Sequence, residues 1–513
     1  MTDNAATPAR VTGAVHPGDT AYQDLSVRGL NKRFTATPEV FHVVTSTEDV
    51  VRVVRDAVAN GRRIAVRSGG HGYENVAGDP AVRVVVDLGE LREVSFDAER
   101  KAFAVEPGAR LADVYRTLYE GWGVTIPAGD SATVGLGGHV AGGGFGSLSR
   151  AEGMAADHLL AVEVVVVDAS GEVRAVVATR DPEDPHHDLW WAHTGGGGGN
   201  FGVVTRYWFR SPGATGDDPR TALPRPPATM LAGTVLFNRD ALDRAAFRTL
   251  VANYGSWHEA NSAPDSAGAS LFGGLVLLGR PREGGDASMG AVGFAHVDGE
   301  RPDAARLLDD YIAHLTAGLG DFPAVLPAEV LPWLDAKQAL AQSQDAEIGR
   351  QKVKSAFLRR GYDEAEADTL YDYLDSGDHG HDTSLVALQS YGGRVNAVAP
   401  DATASAQRGS VIQVFLMNTW QDAADDAAGV DWMRRLFRDL YAKSGGVPVP
   451  GDDHEGCYIN FPDTDMADPE WNTSGVPWED LYYLGNAARL REIKAKWDPR
   501  GVFRHALSPR ADD

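Results

Sequence analysis

The sequence predicts an α+β protein of two domains, and three observations carry that prediction. At 513 residues the chain exceeds what one hydrophobic core serves. Up to about residue 212, short apolar runs and helices alternate with three glycine-rich loops. A stretch rich in Pro, Gly and Asp follows, Ser211 to Pro227, and reads as a linker. Beyond it, longer strands alternate with helices, the pattern of a mixed or antiparallel sheet backed by helices.

The elements follow in order. Residues 1–37 are polar and turn-rich and are expected to wrap the surface. Phe41 to Val44 reads as a strand. Ser46 or Thr47 can cap a helix whose apolar face is Val50, Val51, Val54, Ala57 and Val58, and Asn60-Gly61 ends it. Ile64 to Val66 is the next strand and completes a βαβ unit. Val82 to Val86 and Phe103 to Val105 are further short strands, with a turn at Pro107-Gly108. A helix from about Leu111 to Glu120 leads to Val124-Thr125-Ile126. Leu159 to Val167, rich in β-branched residues, reads as a buried strand, and Ala169-Ser170-Gly171 turns it into a hairpin with Val173 to Val176. Beyond the linker, strands are expected at Gly233 to Phe237, Leu271 to Leu278, Gly293 to Val297 and Val411 to Trp420. Helices are expected near 240–258, 302–317, 363–375 and 428–443. No internal repeat is visible.

Composition narrows the function. The chain has 48 Lys and Arg against 72 Asp and Glu, a formal charge of −24. There is no long basic run. Nucleic acid and anionic membranes require a cationic face, so neither is an expected partner. The single cysteine, Cys457, excludes an intrachain disulfide. Met1 to Arg10 lacks a signal-peptide core, and no run reaches the ~18 apolar residues of a membrane span. A cytoplasmic protein is expected, and its oligomeric state is not legible.

The glycine loops carry the chemistry. The first is Arg67-Ser68-Gly69-Gly70-His71-Gly72-Tyr73, directly after the Ile64 strand. Its glycines let backbone N–H groups approach a ligand and put His71 at the mouth of the turn. The second runs Pro127-Ala128-Gly129-Asp130-Ser131-Ala132-Thr133-Val134-Gly135-Leu136-Gly137-Gly138-His139-Val140-Ala141-Gly142-Gly143-Gly144-Phe145-Gly146. The third runs from Gly195 to Val204. Gly142 to Gly146 is not a Walker A loop, because no G-K-[ST] follows. No acidic residue ~20 positions on completes a Rossmann fingerprint. Three such loops fit a phosphate-bearing cofactor threaded between backbone N–H groups.

Together these loops resemble those of the flavin-linked oxidases of the berberine-bridge-enzyme type, within the vanillyl-alcohol-oxidase superfamily with its PCMH-type FAD-binding domain. The likeness covers about residues 28–211 and 350–510, and is greatest to actinomycete oxidases of secondary metabolism. It implies a discontinuous FAD-binding domain, 38–212 completed by 451–513, with a substrate-binding domain at 228–450. It implies FAD bonded covalently from His71 to the flavin 8α-methyl. The family's second loop carries a cysteine bonded to flavin C6, and here that position is Ser131. A serine hydroxyl is a poor nucleophile without a base, so a single link is expected.

The resemblance also implies the cofactor contacts. They are Arg67, Ser68, Gly69, Gly70, Gly72 and Tyr73 in the first loop, and Gly129, Asp130, Ser131, Thr133, Val134, Gly137, Gly138, His139, Gly142, Gly143, Gly144 and Gly146 in the second. Gly202, Val203 and Val204 follow in the third, with Asn460, Tyr483 and Asn486 near the C-terminus. Within Cys457-Tyr458-Ile459-Asn460, it places the catalytic tyrosine at Tyr458. A phenol beside an electron-poor flavin can have its pKa lowered and take the alcohol proton. In an extended segment Tyr458 and Asn460 face one side and Cys457 the other. Tyr391, in Gln389-Ser390-Tyr391-Gly392-Gly393, would assist Tyr458 or hold the substrate.

The function implied is an FAD-dependent oxidase. A small-molecule alcohol or activated C–H group gives hydride to flavin N5, and O2 takes the electrons to give H2O2. A flavin-dependent oxygenase or cyclase, a carbohydrate oxidase and a non-enzymatic flavoprotein are the alternatives. Two groups suggest a metal, His186-His187-Asp188 and Asp378-His379-Gly380-His381-Asp382. The first has diverging side chains and the second lacks a third ligand at diagnostic spacing, so no metal is expected.

Overall fold

The computed structural model describes residues 11–281, 287–345, 349–376 and 383–510. Three sheets organise them. The first has four strands in the order Gly13–Val15, Val40–Val43, Val84–Asp87, Ile64–Arg67. Its last three are mutually parallel, and Gly13–Val15 joins antiparallel. The helix Thr47–Ala59 links Val40–Val43 to Ile64–Arg67, but those strands are not neighbours. Val84–Asp87 inserts between them and corrects the simple βαβ unit. The helix begins as expected, with the Ser46 side chain accepting from the Asp49 N–H at 3.1 Å. Such a cap contributes about 1 kcal/mol. Its buried face is Val50, Val53, Val54 and Ala57, with Val51 and Val58 at the margin.

The second sheet is antiparallel, in the order Val94–Asp97, Ala102–Val105, Val203–Phe209, Leu159–Val167, Val173–Thr179. The expected hairpin pairs Val167 with Val173 and runs back to Ala161 with Thr179. The helix Leu111–Trp122 packs Leu111, Val114, Tyr115 and Leu118 into the core.

The third sheet has eight strands, all antiparallel. Its order is Ala324–Val325, Thr229–Asn238, Met289–Asp298, Phe272–Leu278, Thr383–Ser390, Ile412–Trp420, Arg350–Leu358, with Glu329–Pro332 also on Thr229–Asn238. Helices Arg244–Asn261, Ala304–Thr316, Glu364–Asp375 and Asp426–Leu440 meet the four expected. They bury residues such as Leu250, Tyr254, Leu308, Leu370 and Phe437. Each such side chain contributes roughly 1.5–3 kcal/mol when fully buried. Two strands of this sheet, Arg350–Leu358 and Thr383–Ser390, and the helix Trp333–Asp345 are not evident from sequence pattern.

Residues 11–37 do more than wrap the surface. Gly13–Val15 extends the first sheet, and Leu25 is fully buried in its core. Asn31 donates to the Tyr73 carbonyl at 2.8 Å and to the Gln351 carbonyl at 3.0 Å. Among the described residues no helix is long and apolar enough to cross a membrane.

Candidate active site

The strand Ile64–Arg67 ends on the first glycine loop, and Arg67 anchors it. Its guanidinium donates to Asp87 at 2.7 and 2.9 Å and to the Leu25 carbonyl at 2.7 Å. The first and second loops then touch backbone to backbone. A methyl group on Gly69 would overlap the amide nitrogen of Gly135, and one on Gly135 would overlap Gly69. Only glycine at both positions allows that approach. Thr133 Oγ1 and His71 Nε2 are hydrogen-bonded at 2.9 Å, fixing the imidazole across the same junction.

A cavity of about 570 Å³ runs along these loops. Of the expected cofactor contacts, Arg67, Ser68, Gly69, Gly70, His71, Gly72, Tyr73, Val134, Gly137, Gly138, His139, Gly202, Val204 and Asn460 border it. Its shape suits FAD. No atom lies within 4 Å of a side chain built on Gly138, so the missing Cβ is open cavity. The long glycine-walled cleft matches a dinucleotide whose contacts are largely with backbone.

The other expected contacts stand behind the wall. Gly129 donates its N–H to His139 Nε2 at 2.9 Å. Burial holds that imidazole down at about 4, so it stays neutral and accepts. Asp130 is ion-paired to the buried Lys337 and accepts from Ser147 Oγ at 2.6 Å and Ser147 N at 3.1 Å. Ser131 does not border the cavity, although it lies on the loop that does. Gly142 lies against the Asn460 amide, and Gly143, Gly144 and Gly146 form the tight turn after it. Val203 is buried in the core. Tyr483 donates to the Gly196 carbonyl at 3.1 Å, which fixes the third loop. Asn486 donates to the carbonyls of Pro400 and Thr403 at 2.8 and 3.1 Å. These two therefore support loops and do not border the cavity.

Sequence reasoning missed part of the wall. His193, Gly197 to Gly199 and His505 to Leu507 also border the cavity. The glycine run was the available signal for the first group. His505 had none, because it reaches the Gly198 carbonyl, at 3.2 Å, from the far end of the chain.

Tyr458 sits beside Asn460, which borders the cavity, and is itself buried behind that wall. Its hydroxyl oxygen accepts from Asn460 Nδ2 at 2.9 Å and from the Phe145 N–H at 3.3 Å. Asn460 also donates to the His139 carbonyl at 2.9 Å, which ties the tyrosine to the second loop. Burial pushes the phenol up to about 12, while Asn460 and the N–H groups of Phe145 and Gly144 pull it down. The lowered value expected from sequence is therefore not a property of the polypeptide alone. Tyr391 is arranged differently. Its hydroxyl donates to the Gln407 carbonyl at 3.0 Å, and burial pushes it well up. Cys457 is buried on the opposite side, with Sγ 3.8 Å from Met466 Sδ and its thiol pushed up by burial.

His186 Nδ1 donates to the Val177 carbonyl at 3.0 Å and lies 4.0 Å from Asp184, while His187 stacks on Trp190. Asp378 to Asp382 lies outside the described residues. Among the described residues no group of three His, Cys, Asp or Glu side chains could hold a metal ion.

A cleft lined by three glycine loops, with an amide-held tyrosine behind its wall, suits a flavin oxidoreductase. Residues 38–176 match the family described as FAD binding domain, and residues 457–509 match the one described as berberine and berberine like. The chain belongs to this family of FAD-linked oxidoreductases. It is 51% identical over 495 residues to aclacinomycin-N/aclacinomycin-A oxidase of Streptomyces galilaeus, covering 96% of this chain and 88% of that protein. A flavoenzyme involved in shunt product recycling in caerulomycin biosynthesis has a similar structure, at TM-score 0.93 and 46% identity over 98% of this chain and 100% of the other. A glycopeptide hexose oxidase solved with teicoplanin matches at TM-score 0.92 and 44% identity, with 98% and 100% covered. FAD is thus the cofactor, and the chain is an FAD-dependent oxidoreductase.

Proposed function

We propose that this chain is an oxidase that removes hydride from an alcohol, or an equivalently activated C–H group, of a secondary-metabolite intermediate. The observation that carries the proposal is the hydroxyl of Tyr458, which accepts from the Phe145 N–H and from Asn460, a residue that borders the same cavity as His71. Donors aimed at a phenol oxygen favour its anion, the form that can take a proton. Tyr458 acts as the phenolate, the form that Asn460 and the Phe145 N–H stabilise, and becomes the neutral phenol on taking the substrate hydroxyl proton. Tyr391, whose proton is held by the Gln407 carbonyl, is not a second base. When bound, FAD supplies the hydride acceptor, and O2 restores it with release of H2O2. His71 forms the single covalent link and Thr133 orients its ring; Ser131 forms none. Residues 38–212 and 451–513 make one FAD-binding domain, and 228–450 the substrate domain.

The test is anaerobic mixing of the purified yellow protein with candidate alcohols. Bleaching of the flavin, followed by one H2O2 per turnover in air, is expected. A product carrying an oxygen atom derived from O2, without H2O2, would move the assignment to an oxygenase. The likeness to a glycopeptide hexose oxidase makes a sugar hydroxyl the second substrate to try.

A further inference from the structure

His71, His139, His193 and His505 border the cavity. In the last three, hydrogen bonds fix which ring nitrogen carries the proton, since a carbonyl only accepts and an amide N–H only donates. His139 Nε2 accepts from the Gly129 N–H at 2.9 Å, so its acceptor is occupied. His505 Nε2 donates to the Gly198 carbonyl at 3.2 Å, and its Nδ1 accepts from the Leu507 N–H at 3.3 Å. His193 is the exception. Its Nδ1 meets the Leu189 carbonyl at 2.7 Å and must be the donor there, which makes Nε2 the acceptor of the neutral ring.

The local fold explains this placement. His193 follows the helix His187–Ala192, and its Nδ1 reaches back one turn to satisfy a carbonyl at the helix end. The Phe201 ring lies edge-on to the imidazole at 5.9 Å. The residue is 3% exposed, yet it borders the cavity. Burial holds the ring down at about 4, so it is uncharged at neutral pH. Among the described residues it makes no second hydrogen bond. A buried acceptor without a donor is costly, and native structures rarely leave one unmet.

We infer that His193 Nε2 accepts a hydrogen bond from a proton-bearing group of FAD, a hydroxyl or an N–H. The pyrophosphate is not that group. Its oxygens carry no proton at neutral pH, and a nitrogen lone pair facing them repels. The ribityl and ribose hydroxyls, the adenine amino group and the flavin N3–H all qualify, because each donates. The third glycine loop then holds the cofactor with a side chain set just ahead of it as well as with its backbone. His193 is a binding residue and transfers no proton.

The test uses the full-length His71→Ala protein, whose FAD is exchangeable, stripped of flavin by dialysis against potassium bromide and titrated with FAD. His193→Asn keeps an N–H for the Leu189 carbonyl but withdraws the acceptor from the cavity. It should bind FAD about tenfold more weakly, the scale of one donor left unmet. His193→Gln sets an amide oxygen where Nε2 stood and gives up the Leu189 bond. It should stay within about threefold of the parent, since the acceptor remains. A purely structural role at the helix end predicts the reverse order. If the Asn variant does not fold, His193→Leu takes its place, because Leu and Gln both lose the Leu189 bond and differ in the acceptor. Equal affinity in parent and variants, equal losses in the two variants, or the larger loss in Gln would overturn the inference. FMN and ADP, titrated alongside, locate the donor. A loss with FMN alone assigns it to the ribityl–flavin half, and a loss with ADP alone to the adenosine half; no loss with either overturns the inference too. Should the wild type itself release FAD to acid, the single-link reading fails, and the same titrations made on it still decide the role of His193.

Discussion

Two tyrosines distinguish themselves by the direction of one hydrogen bond. Tyr391 donates to a carbonyl, which favours its neutral form, whereas Tyr458 accepts from an amide and a backbone N–H, which favour the anion. Tyr458→Phe should therefore retain FAD and fold but lose flavin reduction by ~10²–10⁴-fold, the range for removing a general base. Rapid-mixing reduction at the wild-type rate would remove Tyr458 from that role. Tyr391→Phe leaves the same packing and should slow reduction far less. A second prediction concerns attachment. Only a thiolate is nucleophilic enough to bond the flavin ring carbon. Ser131 offers none, and the single thiol, Cys457, is packed against Met466. Acid-precipitated protein should stay yellow, with flavin on a His71 peptide alone, and His71→Ala should release it. Flavin found on Ser131 or Cys457, or complete release from the wild type, would refute the single link.

At the scale of elements, the helix Trp333–Asp345 is tied to the second glycine loop by one ion pair. Lys337 is 7% exposed, pairs with Asp130, and lies 4.4 Å over the Tyr115 ring. Breaking a buried pair from one side leaves an uncompensated charge, at about 3–5 kcal/mol. Lys337→Met is expected to destabilise the protein by that order and to loosen FAD retention, as read by thermal unfolding and flavin fluorescence. Lys337→Met with Asp130→Asn should recover much of the loss. If the single variant melts with the wild type, the pair contributes nothing to the loop.

For the whole molecule, the C-terminal segment closes the cavity. Asn460 reaches the His139 carbonyl, Tyr483 the Gly196 carbonyl and Lys494 the Asn200 carbonyl, and His505 to Leu507 complete the wall. A fragment ending near residue 445 should therefore bind no FAD, and a stable yellow fragment would move the domain boundary. Acid sensitivity is also a whole-molecule property. Burial holds His139, His193, His296 and His505 down at about 4. An unfolded histidine titrates near 6.5. Between those values the unfolded chain binds more protons than the native one, so stability falls as pH drops from about 6.5 to 4. Denaturant midpoints measured across that range should decline steadily. A flat profile would mean these rings are protonated in the native state.

The sequence by itself determined what local chemistry dictates. Glycine runs, His71, the Tyr458-x-Asn460 pair and the β-branched strand Leu159–Val167 are legible because turn geometry and side-chain alternation act over a few residues. Tertiary structure decided the rest. Arg350–Leu358 hides its strand character because Lys352 and Lys354 are almost fully buried, neutralised by Asp463 and Asp465 more than a hundred residues away. The partners of Asp130, Tyr483 and Asn486, namely Lys337 and the carbonyls of Gly196 and Pro400, lie far off in sequence and appear only in the fold. The aromatic sheet face beside Tyr458, with Phe357, Phe415 and Phe294, exists only once six strands, scattered over nearly two hundred residues, are set in register. Charge compensation and sheet register are distances in space, and sequence spacing does not encode them.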